Sequence, residues 1–478
     1  MSRDLRYDLV VRSRRTVLPE GEVAAAIAVR DGRIAAVAPY HAQLDAVREE
    51  DLAGVALLPG LVDVDVRAHQ PGRSAADGFV AATAAAAAGG VTTILDTPLG
   101  SSRPAVSAPV LQAKRAAAAG SCAIDVGFWG AAVPGNMTEL GALHDAGVIG
   151  FGCLLAGHHP AGDTADGVAG GRPGPPGGSG RDLVPLDDTG LRAAFGRLAG
   201  LGTDTLMAVH AEDRSEIRQA SGRGYATFLA SRPPRAERRA IEKVVAASAA
   251  TGVRAHIAQL SAAECVALIA GAQAAGIALT AETCPHYLFF AAEEVPDGAT
   301  QFTCEPPIRD GINREALWRG LEGGAIDCVA SGHSPRAEPQ DRGRPGGKPA
   351  TRRAAAGDFG AAPSGIAGLQ LSLPAVWTAA RRRRHGLPDV IRWMAERPAA
   401  LAGLPWKGRL AVGCDADLVA FDPDAVFTVR GVELVYRDLA TPYEGRRLAG
   451  AVRAVWLRGE PVTAGAARGG HLIARDKG

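Results

Sequence analysis

The stretch LLPGLVDVDVRAHQPGR, residues 57–73, is an apolar run that turns polar at its end. Buried parallel strands read this way when they deliver functional groups to the mouth of a barrel. Seven further segments of the same kind follow: VTTILDTP, AIDVGFWG, VIGFGCLL, LMAVHAE, RAHIAQLS, ALTAETCPHYL and IDCVASGHS. Alanine-rich helical stretches separate them, among them GFVAATAAAAAGG, AERRAIEKVVAASAATG and AECVALIAGAQAAG. This β-then-α alternation predicts an α/β fold, a (β/α)8 TIM barrel with its active site at the C-terminal ends of the strands. The alternative, a doubly wound open sheet, would carry a glycine-rich phosphate loop after its first strand, and the sequence has none there.

Outward from the barrel, YDLVVRSRRTVL, AAIAVRDGRIAAVA and DLAGVALLPG read as short strands, with Asp31-Gly32 as a hairpin turn. The pattern returns near the other end in ADLVAFDP (416–423) and LAGAVRAVWLRGEPV (448–462). The expected organisation is a small β-sandwich built from both chain ends, residues 1–56 and 405–478, around a barrel over 57–404. Two Gly/Pro-rich insertions, 157–181 and 336–358, follow the fourth and eighth strands and are expected to rim the mouth, as lids or as disordered insertions.

The chain has 478 residues, 47% hydrophobic and 22% charged, with a net charge of +1. That balance offers no electrostatic argument for nucleic acid or an anionic membrane. No apolar run is long enough to span a bilayer, and the charged N-terminus is unlike a signal peptide. The seven cysteines are scattered without a C-x-x-C spacing, which fits reduced thiols in a cytoplasmic protein.

Several blocks carry a family resemblance along nearly the whole chain. LLPGLVDVDVRAHQPGR, AAAAAGGVTTILDTPLGSS, DVGFWGAAVPGN, YATFLASRPPRAE, ETCPHYLFFAAEEVPDGATQF, PPIRDGINREALWRGL, SGIAGLQLSLPAVW and GCDADLVAFDPDAVFTV resemble cyclic amidohydrolases of the amidohydrolase superfamily, the allantoinase, dihydroorotase and hydantoinase group. The DVGFWG and ASRPP blocks look most like bacterial allantoinase. The resemblance implies the barrel-plus-sandwich architecture, a dimer or tetramer, and opening of a cyclic amide or ureide ring at a C–N bond. It also implies two divalent metals sharing a hydroxide, held by a His-x-His pair, a carbamylated Lys, two His and an Asp.

Carried over position by position, those six slots hold Asp65, Arg67, Gly152, His210, Gln259 and Gly332. Arginine is always cationic and glycine has no donor, so the binuclear zinc centre of the family is not expected at these positions. The expectation from sequence is therefore no metal cofactor. His256, three residues before Gln259, is expected by strand alternation to face the other way. The two glycines are expected to open volume where metals and carbamate would sit. Gly100 stands where the family usually has a substrate-contacting Asn.

Asp65 and Arg67 lie two apart on one strand, so both should point into the barrel. Either they neutralise one another or pair with Asp63 or Asp96, or Arg67 binds a carboxylate or oxyanion while Asp65 and His210 act as an acid–base pair. The candidate catalytic residues are Asp65, His210 and Arg67. Arg73, Gln259, His286, Arg309 and His333 are candidate substrate contacts. Structural readings stand beside them: His210 as a relic, His333 as a solvated loop histidine, and Arg73, His286 and Arg309 as braces of the mouth. Three functions follow. They are a metal-independent descendant acting on a cyclic ureide-like small molecule, an inactive protein that binds a ligand or pairs with an active paralogue, and an allantoinase with an unconventional metal site.

Overall fold

The opening stretch divides at Gly60. Ala56–Pro59 is a strand of the sandwich, and Leu61–Val66 is the first strand of the barrel. A Cβ at position 60 would lie 2.0 Å from Thr92 Oγ1, so only glycine lets the chain cross so close to the second barrel strand. The computed structural model describes residues 6–70, 78–99, 103–157, 184–202, 204–335, 357–436, 441–463 and 469–475. Arg73, Gly100 and nearly all of both Gly/Pro-rich insertions lie outside the described residues.

The barrel strands follow the expected order: Leu61–Val66, Val91–Asp96, Asp125–Phe128 continued by Gly130–Ala131, Phe151–Leu154, Leu206–His210, Arg254–Ala258, Leu279–Thr283 and Cys328–Val329. Neighbours pair in parallel from the first to the third and from the third to the eighth. The ring closes through a Val66–His333 bridge and a hydrogen bond from the Arg67 peptide N–H to the His333 carbonyl at 2.9 Å. The first strand thus ends beside the eighth, which brings Asp63 up against Ser331 and Arg67 up against His333 and Ser334.

The helices form for legible reasons. Pro234–Thr251 begins with Pro at its first turn, carries Glu237 there, and stops at Gly252 in the left-handed region, φ 72°. Its buried Ala240, Ile241, Val244, Ala247 and Ser248 recur at helical spacing and pack on the strands. The lumen has its own floor of Val62, Val64, Leu95, Trp129, Ile149, Leu206 and Ala208, sealed by Ala399, Leu401 and Leu404. Trp129 satisfies its indole N–H on the Val64 carbonyl at 3.0 Å. The interior is therefore packed solid below the mouth, and only its upper layers carry polar groups.

One sheet draws its strands from both ends of the chain. Ala56–Pro59 pairs with Tyr7–Leu18 on one side and Leu418–Thr428 on the other. The Asp31-Gly32 hairpin has positive φ at both residues, the geometry a tight two-residue turn needs. Where sandwich meets barrel floor, Lys407 Nζ is buried among Asp125 (2.6 Å), Asp415 (3.0 Å) and Asp417 (2.6 Å). Arg458 adds a second contact to Asp125 at 2.7 Å. No described helix is long and apolar enough to cross a membrane.

Candidate active site

Asp65 and Arg67 reach the mouth together, but among the described residues they do not form an ion pair with one another. Asp65 Oδ2 accepts a hydrogen bond from Gln259 Nε2, and its Oδ1 is buried without a partner. Arg67 Nη1 donates to Ser334 Oγ at 2.6 Å, and its Nε is likewise buried and unpartnered. Burial pulls the Arg67 pKa below its ordinary value against the opposing pull of Asp65 and Glu305. Neither of the other partners considered is free for Arg67. Asp96 is held by Lys114 at 2.6 Å, with both side chains buried. Asp63 accepts from the Ser331 peptide N–H, and burial pushes its pKa up to about 7.

Gln259 explains an error in the strand-alternation argument. Its φ of 56° places it in the left-handed region, so the alternation along Arg254–Ala258 breaks there. Gln259 meets Asp65 at the mouth, and His256 faces the lumen too, one layer deeper. The glycines also behave differently from expectation. A Cβ on Gly152 would come within 2.8 Å of Pro98 Cγ, and one on Gly332 within 2.8 Å of Cys284 Sγ. These glycines open no volume; they let the second and seventh barrel segments close in. Residues at the six slots therefore do not fit a metal pair at the mouth, since two slots lack room for any side chain and a third is a guanidinium.

The remaining candidates sit at different distances from this centre. His210 Nε2 lies 3.1 Å from the Glu305 carbonyl, so it donates there, and Nδ1 is left buried without a partner. His286 lines the space beside Gly332, and burial lowers its pKa to about 3. His333 is not a solvated loop residue: it is 1% exposed, bridges Val66 and Ile366, and is neutral, with burial and then Arg67 holding its pKa at about 3. Arg309 Nη2 is held by Glu237 Oε1 at 2.6 Å and the Arg232 carbonyl at 3.2 Å, which braces the loops below the mouth. Arg232 forms a matching buried link, to Glu212 at 2.7 Å and Glu305 at 2.9 Å. No local pattern announces these pairs, because their partners are far apart in sequence.

Beneath Asp65 and Gln259 lies a group absent from the sequence reading: His256, Glu282 and Cys328, all buried, with their ligand atoms within 4.8 Å of one another. His256 Nε2 is 3.2 Å from Glu282 Oε2, yet neither makes a hydrogen bond, and Glu282 Oε1 is unpartnered as well. Burial lowers the His256 pKa to about 4 and pushes that of Glu282 well up, with Asp65 adding to the latter.

This frame and mouth define a class. The amidohydrolase family profile matches residues 56–462, and the chain belongs to that family. Within it, the chain is 45% identical over 462 residues to an allantoinase of Streptomyces avermitilis, covering 96% of both proteins. It is 36% identical to an Arabidopsis thaliana allantoinase, covering 95% of this chain and 87% of that protein. Among solved structures, an L-hydantoinase (dihydropyrimidinase) from Arthrobacter aurescens superposes with a TM-score of 0.82 at 27% identity, covering 98% of this chain and all of that one. The chain is thus an allantoinase-like member of a family that acts on cyclic amides. The expectation of no metal cofactor is corrected accordingly. It rested on six mouth positions alone, whereas the described residues contain a buried, mutually oriented His, Glu and Cys that can hold a metal ion.

Proposed function

We propose that the protein hydrolyses a cyclic ureide of the allantoin type, opening the ring at a C–N bond. The observation that carries this reading is the pair of buried, unsatisfied groups at the mouth: an acceptor, Asp65 Oδ1, and a donor, Arg67 Nε. A ureide ring presents alternating N–H and C=O groups, so it complements such a donor and acceptor directly. Allantoinase relatives that match this chain nearly end to end support the substrate class.

In this reading Arg67 donates to the carbonyl under attack and stabilises the charge that develops on its oxygen. Asp65 takes the proton of the attacking water, with Gln259 fixing the carboxylate through Oδ2. Asp65 passes that proton on to the departing ring nitrogen, and His210, its Nε2–H held by the Glu305 carbonyl, presents Nδ1 as an acceptor for a ring N–H. Ser334 holds the guanidinium in place.

The test is NMR-monitored conversion of allantoin to its ring-opened acid by purified protein. Asp65→Asn and Arg67→Gln should each lower kcat/KM by about 10²- to 10⁴-fold while far-UV circular dichroism stays unchanged. Absence of allantoin opening by the wild type, or full turnover by both variants, would contradict the assignment.

A further inference from the structure

Three potential metal ligands meet beneath the mouth, and neither His256 Nε2 nor either Glu282 oxygen has a hydrogen-bond partner. His256 Nδ1 lies 2.8 Å from Thr280 Oγ1, and Thr280 Oγ1 in turn lies 3.4 Å from the Ala255 carbonyl. With the hydroxyl donating to that carbonyl and accepting from Nδ1–H, Nε2 is left as a bare lone pair. That lone pair faces a carboxylate 3.2 Å away. Cys328 Sγ completes the group. The Glu282 side chain is 1% exposed, and among the described residues no lysine or arginine pairs with it. The Gln259 peptide N–H faces its carboxylate without reaching hydrogen-bond geometry.

A buried carboxylate facing an imidazole lone pair is costly unless something positive lies between them. We propose that His256 Nε2, the Glu282 carboxylate and the Cys328 thiolate bind a single divalent cation of the zinc class, one layer below Asp65 and Gln259. A mixed nitrogen, oxygen and sulfur set selects zinc or cobalt over magnesium or calcium, which prefer oxygen alone. The Thr280 contact to the imidazole is the outer-shell bond that fixes a metal-binding tautomer. Asp65, whose Oδ1 is buried and unpartnered, acts electrostatically on both His256 and Glu282. A cavity of about 280 Å³ is lined by Thr280, the partner of the His256 ring, and by Asp327, the residue before Cys328. Cys328 binds as thiolate, and its proton leaves to solvent. The inference does not depend on which ureide the mouth accepts.

The experiment is metal replacement read by content and spectrum. Protein stripped with a chelator is given zinc or cobalt(II), desalted, and assayed by elemental analysis and near-ultraviolet absorption. Wild type should retain about one equivalent, and the cobalt form should show a thiolate-to-metal band. Glu282→Gln and Cys328→Ser should each fall below about a tenth of an equivalent, and Cys328→Ser should also lose the band. His210→Asn should keep both. If Cys328→Ser does not fold, the near-isosteric Glu282→Gln decides. Less than about a tenth of an equivalent in the wild type would mean that a shared proton, not a metal, joins Glu282 to His256, and would overturn the proposal. Loss of metal in His210→Asn with retention in Glu282→Gln would overturn it as well.

Discussion

At the barrel floor, Lys407 sits within 2.6–3.0 Å of three aspartates, and Arg458 adds a second positive group. Nearer the mouth, Glu282 and His256 face each other at 3.2 Å with no cationic side chain between them. Both clusters are buried, and both gather potential metal ligands. At the floor, the chain supplies its own cation: burial and the surrounding carboxylates act in opposite directions on Lys407, and the carboxylates hold its pKa above the ordinary value. At the upper cluster, burial acts on Glu282 with little to offset it. The difference separates an anionic site made for structure from one with room for a cation from solution.

Four predictions sharpen or break that contrast. Lys407→Met should be the most damaging change, costing about 3–5 kcal/mol in urea unfolding, because it strands two buried carboxylates and a partly buried third. A loss below about 1 kcal/mol would mean that the floor cluster tolerates its charge unaided. Zinc at a hundredfold excess over its Kd should stabilise the wild type by about 2.7 kcal/mol and leave Glu282→Gln unmoved; equal shifts in both would place the ion elsewhere. A smaller effect is expected from acid. His286 and His333 have folded-state pKa values near 3, below the unfolded value of about 6.5. The unfolded chain therefore binds more protons below about pH 6.5, and stability should fall by about 1.4 kcal/mol per pH unit for each histidine as pH drops. A flat urea midpoint from pH 7 to 5 would show that neither ring is held neutral. The smallest effect is Glu282→Gln without metal, which should change stability by less than about 1 kcal/mol, since it removes an uncompensated charge.

Much of the fold was legible because parallel barrel strands are buried on both faces and read as uninterrupted apolar runs. The hairpin at Asp31-Gly32 and the helix over Pro234–Thr251 were legible from turn chemistry and helical spacing. The site was harder to read. Alternation assigned His256 to the wrong face because a single residue, Gln259, adopts positive φ and resets the register. Gly152 and Gly332 read as empty space, yet Pro98 and Cys284 occupy it. Glu282 and Cys328 lay inside strands that read as apolar, and only closure of the seventh and eighth strands brings them to His256. Arg309 looked like a mouth residue by position, and its partner Glu237, like the Glu212 and Glu305 partners of Arg232, is visible only in three dimensions.

The most direct test of the account is anomalous diffraction at the zinc edge from crystals grown with zinc. The account predicts one strong peak enclosed by His256 Nε2, Glu282 and Cys328 Sγ. A peak beside His210 and Asp65 at the mouth, or none in the barrel, would contradict it.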